Sequence, residues 1–213
     1  MTKPIETVAV LFVMTVAAWS VNTLAAGRTY AIDAERSRAV IAVGKAGALA
    51  FAAGHTHEVL TSAITGVVNV ETARLAQSTV QLTIDTAALR VTGKGEPAED
   101  VPEVQRVMLS DKVLDVHRYP TIAFESTGLA VDKQTPTAAD LALAGQLNLH
   151  GVTRSLTVPV HVEFTTPDTL TCRGHLRVKQ TDFGIAPVSV AGVVKVKDAL
   201  DVEFTIVARS WKR

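Results

Sequence analysis

The sequence predicts an all-β fold, a sandwich or closed barrel of short antiparallel strands with one helical excursion. Three observations predict it. Apolar and polar residues alternate with a period of two from Tyr30 onward. About eight such runs are separated by turn-forming residues. One stretch, Asp100 to Val116, departs from that rhythm toward helical spacing.

Ahead of the strands, residues 1–26 read as a secretory signal peptide. Lys3 supplies a positive start, offset by Glu6, and the run from Thr7 to Ser20 is apolar but short for a bilayer span. Thr23-Leu24-Ala25 presents small residues for cleavage after Ala25, with Ala26 as the alternative. The other reading is an uncleaved N-terminal anchor. The organisation expected is therefore a leader over 1–26 and one domain over 27–213.

The strands follow in order. Val80-Leu82-Ile84 and Ile122-Phe124 alternate with polar or small neighbours, as does the row Leu141, Leu143, Leu147 and Leu149. Leu156 to Phe164 places Leu156, Val158, Val160, Val162 and Phe164 on one face and Thr157, Pro159, His161 and Glu163 on the other. Leu170, Cys172, Gly174, Leu176 and Val178 share a face, and so do Val202, Phe204, Ile206 and Ala208. Lys133-Gln134-Thr135-Pro136 and Thr166-Pro167-Asp168 read as turns, and Thr92 to Pro97 as a loop. Within the helical stretch, Val104, Val107, Met108 and Leu114 are the apolar positions. Pro102 suits a first helical turn, and Ser110 suits the cap of a second short turn over Lys112 to Asp115.

Composition narrows the function. Lys plus Arg and Asp plus Glu are both 21, so the formal charge is zero and no basic excess marks the chain for nucleic acid. The single cysteine, Cys172, excludes an internal disulfide and reads as a small buried filler. No HExxH, nucleophile elbow or phosphate-binding glycine loop is present, and no catalytic residue, resident metal or cofactor is assigned.

Of the six histidines, His55 and His57 flank Thr56 and share a face if extended, a spacing that can present two imidazoles to a metal. A third ligand would have to come from His117, His150, His161 or His175. His161 and His175 lie opposite the apolar rows, toward solvent. The alternatives for His55 and His57 are polar contacts at a pocket mouth and structural imidazoles near Gly54.

If the apolar faces point inward, the lining comprises Leu82, Ile84, Phe124, Leu143, Leu147, Val158, Val160, Leu176, Val178, Phe204 and Ile206. These residues either interdigitate as a solid core or surround a tunnel. Alternation alone leaves both open.

Several stretches together resemble the YceI-like family of exported, lipocalin-like proteins. They are Tyr30-Ala31-Ile32-Asp33 with Ser37, Gly54-His55-Thr56-His57-Glu58-Val59 with Ile64-Thr65-Gly66, and Val104 to Ser110 continuing through Val116. Tyr119 to Ser126, Gly145 to Thr153, Thr181 to Ile185 and Val194 to Asp198 complete the set, in order over about residues 28–210. The stretch with His55 and His57 is similar to a branch carrying GHxH. Where many relatives have an Arg-Asp pair, this chain has Gln105-Arg106-Val107.

The resemblance implies an eight-stranded antiparallel lipocalin-like barrel with a short helical insertion. It implies a hydrophobic tunnel holding a polyisoprenoid, a quinone or a fatty-acid-like molecule, in a bacterial periplasm or envelope. It also places His55, His57, Arg106 and Met108 at the tunnel's rim. The expected function is lipid binding for transport, storage or sequestration, without catalysis. Other readings are a metal-binding protein or metal-dependent enzyme built on His55 and His57, and a module docking onto an envelope or membrane protein. A second copy of the chain, in a homodimer, is a further candidate partner.

Overall fold

The computed structural model describes residues 27–46, 56–190 and 194–210. The leader over 1–26 and His55 lie outside the described residues. Among the described residues, twelve strand segments and one α-helix build a closed, eight-stranded antiparallel barrel.

Five barrel strands are single segments: β7 (Thr121–Gln134), β8 (Ala138–Leu149), β9 (Val152–Thr166), β10 (Thr169–Lys179) and β12 (Val194–Ser210). Each of the other three is interrupted. β1 (Arg28–Ile32) continues as β2 (Arg38–Ala46), β3 (His57–Thr61) as β4 (Ile64–Val70), and β5 (Thr79–Asp85) as β6 (Arg90–Val91). Sequence neighbours pair around the ring, and β1 and β2 then meet β12 to close it. The short β11 (Ser189–Val190) pairs with β12.

Turn chemistry sets the register. His150 and Gly151 both have positive φ (53° and 75°) and join β8 to β9 as a two-residue hairpin, with Leu149 opposite Val152. At the other end of the barrel, Thr135 accepts the Ala138 N–H through Oγ1 at 3.0 Å and makes the β7–β8 turn.

The seam closing the barrel relies on a side chain. Residues 33–37 leave the sheet between β1 and β2, opposite Val207 of β12. Ser37, 2% exposed, restores the lost pairing. Its Oγ accepts the Val207 N–H at 3.0 Å, and the Val207 carbonyl accepts from the Asp33 N–H at 2.8 Å and the Ser37 hydroxyl at 3.3 Å. Asp33 also meets Arg209 at 3.1 Å.

The helix α1 (Val101–Leu109) lies between β6 and β7 in sequence and packs on β6. Pro102 stands in its first turn, as the sequence predicts. It ends at Leu109, and the segment to Arg118 runs through turns, the first of them following Ser110. There Ser110 Oγ accepts from Lys112 N–H at 3.3 Å. Gln105 fastens the helix to the sheet. Its Oε1 accepts the Val91 N–H at 2.8 Å and its Nε2 donates to the Leu89 carbonyl at 2.9 Å, so the amide stands in for a neighbouring strand.

Candidate functional site: the barrel lumen

Inside the barrel is a cavity of about 1040 Å³. It runs from Leu75, Leu129, Phe164 and Leu170 at one end to α1 and the β3 start at the other. At about 24 cal/mol per Å³ of unfilled volume, a packing defect of that size would cost about 25 kcal/mol, beyond the ~5–15 kcal/mol total stability of a domain. The void is a built lumen, and the barrel wall keeps it open through its own hydrogen bonds. The volume stands at the upper end of small-molecule pockets, roughly 300–1,000 Å³.

All eleven aliphatic and aromatic positions expected to face inward do so: Leu82, Ile84, Phe124, Leu143, Leu147, Val158, Val160, Leu176, Val178, Phe204 and Ile206 line the lumen. Two of them show how space is preserved. A Cβ on Gly174 would fall 2.4 Å from Cζ of Phe204, and one on Gly145 would fall 2.3 Å from Cζ of Phe124. Each ring therefore lies over a glycine in the wall instead of crossing the axis. Cys172 also faces the lumen, where burial among apolar atoms pushes its thiol up to about 12.

The two ends differ. The end holding the β9–β10 turn is filled by the buried Tyr30, Leu75 and Leu170, with the Tyr30 hydroxyl donating to Pro167 O at 3.1 Å. Among the described residues, all the acidic and basic side chains of the lining stand at the opposite end: Lys45, His57, Glu96, Asp100 and Glu103.

His57 and Glu96 meet there through the loop that follows β6. Gly95 has φ +86°, and a Cβ on it would fall 2.8 Å from Thr56 Oγ1, so only glycine lets the loop lie this close to β3. Outside the barrel, Glu58 grips the loop by Lys94 Nζ at 2.8 Å and the Thr92 hydroxyl at 3.1 Å; the Lys94 bond holds its carboxyl below the ordinary range. On the inside, Glu96 Oε2 accepts from His57 Nδ1 at 2.9 Å. Strand alternation thus aims His57 inward and Glu58 outward.

The rim residues expected from the resemblance separate. His57 and Met108 line the lumen. Arg106 does not: it is exposed on the outer face of α1, donating to Glu103 through Nε at 2.8 Å and Nη2 at 2.5 Å. Arg106 is two residues from Val104 and Met108, and about 100° per helical residue turns it to the far side. Among the described residues, no three of His, Cys, Asp or Glu gather as a metal-holding group. His161 pairs with Asp140 at 2.6 Å and His175 with Asp201 at 3.5 Å on the barrel's outer surface. His150 packs on Tyr119 with ring centroids 4.4 Å apart. Glu96 has no strand or helix period to announce it. Its only signal is a carboxylate just after two glycines, Gly93 and Gly95, in a loop.

Among the solved structures similar to this chain are three from different organisms. BcnA of Burkholderia cenocepacia shares 21% identity at TM-score 0.64, covering 83% of this chain and 98% of its own. A polyisoprenoid binding domain from Saccharophagus degradans, implicated in plant cell wall breakdown, shares 16% at TM-score 0.62, covering 85% and 98%. A YCEI protein of Campylobacter jejuni shares 13% at TM-score 0.53, covering 70% and 82%. No curated protein matches the sequence. These likenesses agree in the barrel fold, and the YceI-like domain model matches residues 30–208. By that match over most of its length, the chain belongs to the YceI-like domain family.

Proposed function

We propose that this protein is an exported lipid-binding protein, holding an isoprenoid, quinone-like or similarly long apolar molecule in the barrel for transport, storage or sequestration in the cell envelope. The observation that carries the reading is the lumen of about 1040 Å³ lined along its length by aliphatic side chains. Sequestering a chain there contributes about 0.8 kcal/mol per methylene, so length and shape supply the driving force, less the cost of ordering the ligand. The structural likeness to a polyisoprenoid binding domain supports the same ligand class. Export rests on the leader features of residues 1–26, and an envelope protein is the partner such a carrier implies.

Native mass spectrometry of gently purified protein tests the binding. The expected result is a co-purifying apolar molecule, exchangeable for an isoprenoid alcohol or quinone. Uniformly empty protein that takes up neither probe would overturn the reading. The same intact-mass measurement tests export, with a mature chain expected to begin at Ala26 or Gly27.

A further inference from the structure

The charged end of the lumen contains a buried acceptor that has no partner among the described residues. The Glu96 side chain has 0% of its surface exposed. His57 Nδ1 engages Oε2 at 2.9 Å, while Oε1 is buried and has no hydrogen-bond partner among the described residues. A buried acceptor left unpaired is costly to the fold, and more so when charged. The residue is nevertheless held firmly in place, by the His57 contact and by a loop clamped to β3 from outside through Glu58. Glu96 lines the cavity that runs the length of the barrel.

We propose that Glu96, oriented by His57, receives the head group of the bound molecule, and that this head group is a hydrogen-bond donor, a hydroxyl or an ammonium. The proposal rests on the reading of the lumen as a site for an apolar chain. A hydroxyl or ammonium supplies the missing proton to Oε1. An ether, an ester or the carbonyl of an oxidised quinone offers only acceptors and leaves Oε1 unpaired. A carboxylate head offers no donor to Oε1 and adds a further acidic group beside Glu96, Asp100 and Glu103, which line the same end together with Lys45. Glu103 is already engaged by Arg106 from outside the barrel. Glu96 is therefore a positioning contact that selects the ligand's polar end, while the aliphatic wall accepts its chain.

The test is a competition, read by native mass spectrometry, among three probes with one C20 isoprenoid chain: the primary alcohol, the primary amine and the methyl ether of the alcohol. With the delipidated full protein, the alcohol, the amine or both are expected to be retained at least tenfold over the ether. A stronger preference for the amine identifies a charged head group, and a preference for the alcohol a neutral one. Glu96→Met should bring the three to within about twofold of each other while ether binding persists. Glu96→Gln keeps the side-chain shape should the Met variant misfold. Its carbonyl accepts from His57 and turns the amide NH₂ to the lumen, so the ether should bind at least as well as the alcohol. Equal binding of all three probes to the unaltered protein would overturn the head-group assignment and leave the lumen reading standing. So would a preference that survives both substitutions. Failure of every probe to bind would overturn both.

Discussion

Ser37 and Cys172 are small side chains whose surroundings decide their roles. Ser37 is the only described contact that satisfies the Val207 N–H where β12 passes residues 33–37. Ser37→Ala should destabilise the protein by about 1–3 kcal/mol, because it leaves that donor unpaired. Urea unfolding would show it as a lower midpoint at unchanged slope. Cys172 reads as a filler in sequence, and the barrel sets it against the lumen in an apolar setting. With its thiol pushed up to about 12, the thiolate fraction at pH 8 is on the order of 10⁻⁴. A charged thiol reagent should label the folded protein far more slowly than the protein in denaturant, as followed by intact mass; equal rates would contradict the burial. At this scale the sequence shows identity without environment. Glu96 looks like any loop carboxylate until the fold of Gly95 against Thr56 brings it to His57.

Among the elements, α1 is fastened to the sheet by the two hydrogen bonds of one side chain. Gln105 holds it to Leu89 and Val91, which are 5% and 8% exposed. Gln105→Leu should leave a buried N–H and a buried carbonyl unsatisfied, at about 1–3 kcal/mol each. Faster amide exchange over residues 101–109, with the distant β9–β10 hairpin unaffected, is the expected signature. Exchange unchanged in the helix would show that its apolar face alone secures it. Elements were the most legible level in the sequence. Alternation in Leu156–Phe164 and Leu170–Val178 identifies the inward faces directly, since a strand has only two. The breaks at residues 33–37 and after Asp85 were not legible, because an interrupted strand keeps no pattern across the gap. The outward position of Arg106 was legible in the Val104, Val107 and Met108 spacing, against the rim position that the resemblance implies.

For the whole molecule, the choice between solid core and tunnel depends on volume, and periodicity carries no volume. The cavity of about 1040 Å³ settles that choice in favour of open space. Leu147→Trp should therefore be tolerated by the fold while obstructing uptake of a C20 chain. If the interior were close-packed, the larger ring would instead destabilise it by about 1–3 kcal/mol. Thermal unfolding of delipidated protein, compared with binding of the chain alcohol, separates the outcomes. The seam between the first and last strands has a further consequence, in time rather than in shape. Ser37 and Val207 are 170 positions apart, yet they complete the same joint. Every other wall contact joins sequence neighbours, so most of the sheet can form as growing hairpins, whereas closure waits for the ends to meet. Until then the future lumen is an open apolar trough. The ring closure that creates a binding site also ends the stage of folding at which that surface is most exposed to aggregation.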